Sequence, residues 1–222
     1  MPHIILKKNS SILLCSFIII FTLINTSCAT SHKNFPKNIG SGITYEYFDF
    51  SNLPKPNKKL LRYHLLSIDL TDPTIKIVSQ DDMTNQSYNG KTTHKFAKQS
   101  NAAVAINGTL FYYPKGKLSI KRGLLGLCIV NGKEYSKPKK SYAALLFVKD
   151  PKTNLYKAHI ISNQEEPLPN NTEFAIGGFF TIIKDNQIIH RKTPIDSRTA
   201  CGISNNGNTL HILCVEGEDL VH

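Results

Sequence analysis

No Gly-x-Ser-x-Gly elbow and no Gly-x-x-x-x-Gly-Lys-Ser/Thr loop occurs in the 222 residues. Their absence argues against an α/β-hydrolase nucleophile and a P-loop phosphate cradle. The eight histidines show no metal-ligand spacing, so a metal site built from sequence-local ligands is not expected, and each reads as a surface or core residue. Cysteine is too scarce for a disulfide framework: of five, Cys15 and Cys28 lie near the amino terminus, leaving the odd set Cys128, Cys201 and Cys214. With a turn at residues 205–208, Cys201 would face Ile212 and Cys214 would be its diagonal neighbour. Diagonal neighbours lie roughly 7–8 Å apart, too far for an unstrained bridge, so free thiols are expected. No low-complexity tract or internal repeat is visible.

Long apolar runs are also lacking. The longest, "SILLCSFIIIFTLI" from Ser11 to Ile24, falls short of the ~20 residues a membrane-crossing helix needs. Lys7 and Lys8 in front of it and small polar residues after it give the layout of a secretory signal peptide. Thr26 and Ser27 directly before Cys28 resemble a bacterial lipoprotein cleavage box, although Asn25 stands where Leu is usual. A simple secretory signal and an uncleaved anchor are the competing readings. The expected organisation is a lipoprotein-type signal over 1–27, a polar tether over 28–42 beginning at a lipidated Cys28, and one domain over 43–222. The expected location is the bacterial cell envelope, with the membrane a partner through the anchor.

Acidic residues are few against basic ones, 16 against 27, for a net charge of +11. Lys7 and Lys8 supply two of these charges, so a chain without residues 1–27 carries +9. Such a surface attracts anionic glycans, sugar phosphates or anionic lipid. The lysines crowd into polar loops ("KPNKK" at 55–59, "SKPKK" at 136–140) without interleaved aromatics, which equally suits ordinary solvated charge. Export makes nucleic acid a poor partner.

Strand patterns dominate from Ile43 onward. "LRYHLLSIDL" (61–70) and "TIKIVSQ" (74–80) flank Thr71-Asp72-Pro73 and read as a strand pair. "TTHKFAKQS" (92–100) reads as a helix capped by Thr92 or Thr93, leading into a buried strand "AAVAI" (102–106). Asn131-Gly132 signals a hairpin. "YAALLFVKD" and "LYKAHIIS" pair around Pro151, "FAIGGFFTIIKDNQIIH" turns near Asp185-Asn186, and the last hairpin turns at Asn205–Asn208. Roughly ten strands and few helices give an α+β fold with a large, mostly antiparallel sheet.

Two stretches could carry chemistry. In "VAINGTLFY" a strand ends on Asn107-Gly108, where an amide can meet a ligand and a glycine lets the backbone approach. In "SRTACGI" Arg198 precedes an apolar strand, and a guanidinium there can grip a phosphate with two parallel bonds. Taken singly, an ordinary turn and a strand-edge ion pair explain them as well.

Taken in order, "AINGTLF", "VNGKE", "AIGGFFTIIKDNQII", "RTACGIS" and "LHILCVEG" resemble the phosphodiester glycosidase domain family. The resemblance spans about residues 60–217. Its strand-ending pair falls on Asn107 and Gly108 with an aromatic at Phe111, its Gly-Gly strand on Gly177 and Gly178, and its Arg-Thr motif on Arg198 and Thr199. Its acidic-Gly pair falls on Glu216 and Gly217; many members carry Asp there. The resemblance implies hydrolysis of a sugar C1–O–P bond; no cofactor or metal is expected. Arg198 would take the phosphate, Glu216 would support the oxocarbenium-like sugar, and Asn107 would hold a hydroxyl. Gly108, Phe111, Gly177, Gly178 and Thr199 would line the substrate.

The family continues past the acidic-Gly pair into a helix and a strand ending in Leu-Asp-Gly, whose Asp is thought to belong to the active site. Nothing of this occurs before His222, so a C-terminally incomplete domain is expected. Two rivals follow: a glycan-binding or structural lipoprotein without turnover, and an inactive remnant.

Overall fold

The structure, a computed structural model, describes residues 32–33, 36–50, 62–80, 82–83, 87–114, 121–189 and 198–216. Along the chain, β1 (His32–Lys33), β2 (Lys37–Gly40), β3 (Ile43–Asp49) and β4 (Arg62–Asp69) come first, then β5 (Ser87–Asn89) and α1 (Thr93–Ser100). Next follow β6 (Phe111–Tyr112), β7 (Lys121–Leu124), β8 (Cys128–Val130), β9 (Lys133–Ser136), β10 (Ala144–Lys149), β11 (Tyr156–Ile161) and β12 (Thr172–Gly177). The described chain closes with β13 (Ile183–Lys184), β14 (Gln187–Ile188), β15 (Arg198–Ser204) and β16 (Thr209–Val215). Every pairing among the described strands is antiparallel, and α1 is their one α-helix companion. The fold is α+β, as its strand-rich pattern predicts.

The strands divide into two main sheets rather than one. The first runs β1-β3-β4-β16-β15 with β2 also on β3, and the second runs β11-β10-β12-β8-β9. Two small sheets, β5-β7-β6 and β13-β14, lie beside them. The main sheets share a core: Ile68, Leu210 and Ile212 of the first pack with Val130, Leu145, Phe147, Ala158 and Phe174 of the second. The second sheet buries its other face too, through Leu127, Ile129, Ala144, Leu146, Ile161 and Ala175. Leu127 and Leu146 have no exposed surface, and burying each contributes about 1.5–3 kcal/mol. Buried Gln164 closes this layer: its Oε1 accepts from the Leu127 and Lys139 amides, and its Nε2 donates to Ala143 O.

Turn chemistry explains the hairpins. Asn131 and Gly132 both take positive φ (51° and 74°), matching a tight turn to the strand twist between β8 and β9. Asp185 and Asn186 do the same between β13 and β14. Gly207, at φ +85°, sits buried between β15 and β16, where an added Cβ would stand 2.3 Å from Ala158 O. The last turn is thereby seated on β11 of the other sheet. At α1, Thr92 Oγ1 accepts from the Lys95 amide, and Asn101 ends the helix in the left-handed region.

Three sequence expectations differ. Residues 74–80 form no ladder strand; Asp72 Oδ1 instead accepts from the Thr74 amide and hydroxyl, turning the chain, while Ile75 and Ile77 still pack on the core. β4 finds its partners far away in sequence, in β3 and β16. "AAVAI" is irregular rather than a strand. Lys37–Gly40, inside the stretch read as a tether, pairs with β3, so the sheet begins before Ile43. Residues 1–27 and Cys28 lie outside the described residues. Among the described residues no helix is long and apolar enough to cross a membrane.

Candidate active site

Alternation of side chains along a strand gives the first sheet two distinct faces. On β16, Leu210, Ile212, Cys214 and Glu216 share one face, and their register partners Ile68, Leu66, His64 and Arg62 on β4 share it too, the last across the closing Glu216 bond. Ile43, Tyr45, Tyr47 and Asp49 of β3 complete the rows on one side, and Cys201 and Thr199 of β15 on the other. Followed along the strands, this face changes character. It begins in the apolar core at Ile68 and Leu210 and ends in a polar cluster at His64, Arg62, Thr199 and Glu216.

Glu216 stands one residue past β16, where its amide still donates to Arg62 O at 3.0 Å. Its carboxylate is held at both oxygens. Arg62 Nε lies 2.9 Å from Oε2, and His64 Nε2 lies 2.9 Å from Oε1. On the far side of the imidazole, His64 Nδ1 is 2.8 Å from the Tyr45 hydroxyl, and the Tyr47 ring lies 5.0 Å away, centroid to centroid. Burial raises the Tyr47 phenol above its usual range, with the Asp49 and Glu216 carboxylates adding to the shift. About a third of each side chain in the Arg62–His64–Glu216 group is exposed, so the cluster meets solvent at the sheet's end.

The loop after α1 comes to this face through two threonines. Thr109 Oγ1 donates to Leu127 O and accepts from the Gly177 amide, fixing the loop to the second sheet. Thr199 Oγ1 then donates to Asn107 Oδ1 at 3.0 Å, across 92 positions of sequence. Asn107 and Gly108 are exposed, and the space where a Gly108 Cβ would stand is open for 4 Å. Phe111 is 47% exposed and packs edge-on to Tyr113, with the Arg122 guanidinium 4.3 Å over the Tyr113 ring.

The sequence-predicted residues therefore separate into groups. Asn107, Thr199 and Glu216 share one face of the first sheet or touch it. Thr199 pairs with Cys214, which makes Glu216 its diagonal neighbour. Arg198, paired with Val215, falls on the opposite face by strand alternation, at the start of the edge strand. Gly177 is buried: an added Cβ would stand 2.9 Å from Leu127 O, and its role in this geometry is close packing. Gly178, half-buried, donates its amide to Ala143 O. Gly217 lies outside the described residues.

Arg62, His64 and Tyr45 are the residues that sequence reasoning missed. A signal was present: in "LRYHLLSIDL" the alternation that puts Leu66 and Ile68 inside also carries Arg62 and His64 on the same face. Among the described residues no group of three His, Cys, Asp or Glu side chains is placed to hold a metal ion. The thiols match the sequence reading. Cys201 faces Ile212, Cys214 faces Thr199, and both are free.

No curated protein and no solved structure matches the chain. A family model described as phosphodiester glycosidase matches residues 100–221, more than half of the 222. That span holds the bonded pair Asn107 and Thr199 and, on the same face, Glu216, and the chain belongs to the phosphodiester glycosidase family.

Proposed function

We propose that the chain hydrolyses the C1–O–P bond of a sugar-1-phosphodiester in a phosphorylated glycan or sugar conjugate. One observation carries this reading: the Thr199–Asn107 hydrogen bond joins two distant family motifs on the sheet face where Glu216 is Thr199's diagonal neighbour. Departure of a phosphate monoester needs little acid help, so the site must chiefly stabilise charge. Glu216 supports the positive charge that develops on the sugar, and Asn107 holds a hydroxyl through its amide. The phosphate is assigned to Arg198, at the start of the edge strand β15. Phe111 and the open space at Gly108 form the approach. In the test, the chain is incubated with an N-acetylglucosamine-1-phosphodiester, and the release of sugar and phosphomonoester is followed by NMR. Turnover should fall at least roughly 100-fold in Glu216→Gln, the scale of one lost electrostatic contact in a closed site. Equal rates in wild type and Glu216→Gln would remove Glu216 from the chemistry.

The occupied oxygens of Glu216 favour a second reading, glycan binding without turnover. It requires saturable binding of the same diester with no product after prolonged incubation.

The proposal extends to location. The chain is exported and held at the cell envelope by lipid on Cys28, and the net charge of +9 left without residues 1–27 favours an anionic substrate. Cys28→Ser should move the protein from the membrane to the soluble fraction of a bacterial host. An unchanged membrane fraction would sink the lipid anchor.

A further inference from the structure

We infer that His64, steadied by Tyr45, is a positioning residue that fixes the Glu216 carboxylate for the sugar-phosphodiester reaction; this rests on the reading above. A glutamate just beyond a strand's end, a third exposed, would ordinarily sample several rotamers. Here each carboxylate oxygen has its own donor, Arg62 Nε on Oε2 and His64 Nε2 on Oε1, both at 2.9 Å. Two donors on two oxygens fix the plane of the carboxylate as well as its place. An ionised carboxylate has about four acceptor positions, so two remain for a substrate or a water.

The proton on His64 follows from its neighbours. A carboxylate only accepts, so Nε2 must carry the hydrogen that bridges His64 to Glu216. In the neutral ring Nδ1 then has a lone pair, which accepts the Tyr45 O–H at 2.8 Å. In the charged ring Nδ1 donates to the same hydroxyl oxygen. Either way Nε2–H points at Glu216, and His64 acts through the carboxylate rather than as a base of its own. Among the described residues, the charged and titratable groups around it are Glu216, Arg62, Tyr45, Tyr47, its cross-strand partner Cys214 and, through Tyr47, Asp49. Three separate stretches meet here: β3, β4 and the end of β16. The first two precede residue 100, where the family match begins.

Two measurements on the full chain test this, after thermal melts show that each variant folds. In steady-state hydrolysis, His64→Ala should lower kcat about 10–100-fold, the range for removing a partner that orients a reactive group, with KM changed less than about threefold. His64→Gln keeps an N–H donor and should recover part of that loss. Tyr45→Phe, which removes a single neutral hydrogen bond, should cost about 2–10-fold. Wild-type kcat in His64→Ala, or a loss appearing only in KM, overturns the inference. Nitrogen-15 spectra of His64 give a readout independent of turnover. Wild type should show Nε2 protonated at high pH, and Glu216→Ala should shift that tautomer balance. A balance unchanged in Glu216→Ala overturns the inference whether or not the chain turns over. Wild type that turns over no diester while Glu216→Ala still shifts the balance is instead a failure of the glycosidase reading.

Discussion

In β10 four consecutive residues, Ala144 to Phe147, are buried, whereas in β16 only Leu210 and Ile212 are. Both strands are interior to their sheets, hydrogen-bonded on both sides. The difference lies in what covers them. β10 is packed on both faces, by the first sheet and by the layer around Leu146 and Gln164. β16 packs strongly on one face, and that face runs out of apolar cover before the strand ends. A strand enclosed on both sides must be apolar throughout and has no room for chemistry. A strand enclosed on one side can begin in the core and end at solvent. It can then hold a carboxylate at a defined position on a rigid support. The second sheet is enclosed as a scaffold would be, and the first carries the candidate site proposed above.

The largest effect should come from the scaffold. Leu146→Ala removes a side chain with no exposed surface and should cost roughly 3–5 kcal/mol of stability by denaturant unfolding. Leu213→Ala, on the outer face of β16, should cost about 1 kcal/mol or less. Equal losses would dissolve the contrast between the sheets.

The two faces of the first sheet can be set against each other in the same way. Arg198→Ala should remove roughly 2–4 kcal/mol of transition-state stabilisation, measured as kcat/KM. Arg198→Lys, which keeps charge but loses the two-pronged grip, should already be impaired. Stability should change by less than about 1 kcal/mol in both. If both turn over like wild type, the phosphate is not held from the edge strand, and the site is confined to the face of Glu216.

The core end of that face should show itself at alkaline pH. Burial pushes the Cys201 thiol from 9.0 up to about 11, and Cys214 adds to the shift. The unfolded chain then loses this proton first. The stabilisation is complete below pH 9.0 and disappears as pH rises to about 11. About 2 kcal/mol should be lost over this window at 1.36 kcal/mol per unit, and Cys201→Ala should make that part of the profile shallower, the Cys128 thiol, also raised by burial, keeping part of the slope. Tyr156, pushed from 10.0 up to about 12 by burial and by Glu173, adds to the decline above pH 10.0 and carries it further. A stability unchanged from pH 8 to 11 in wild type would show that Cys201 is not enclosed.

The smallest effect on folding is expected at Gly108. Its Cβ position is open for 4 Å, so Gly108→Ala should leave the melt within about 0.5 kcal/mol of wild type. Any fall in turnover would then report the backbone's approach to substrate, whereas unchanged turnover would remove Gly108 from the binding surface.

What could be read from the sequence was local. Asn131-Gly132, Asp185-Asn186 and Asn205–Asn208 marked their turns because few other residues tolerate positive φ. The pair Thr92 and Thr93 marked the start of α1 because a threonine oxygen can accept from the first turn's amides, and the structure places the cap on Thr92. The order of the motifs pointed to the family that residues 100–221 match. Apolar composition alone misled at "AAVAI" and at 74–80, since strand propensity describes a fit to a pleated surface and both stretches lack a ladder partner.

Partnership across the chain was decided only by the tertiary structure. His64 and Glu216 are 152 residues apart, Asn107 and Thr199 are 92 apart, and nothing in either local pattern names the other. Placing β4 beside β16 made Arg62 and His64 neighbours of Glu216, and the same register turned Arg198 to the other face. The sequence by itself determined where the chain turns, caps and hides its apolar residues, because those depend on neighbours a few bonds away. Which polar groups share the exposed end of one sheet depended on strand order and register, which are settled by the packing of the whole chain.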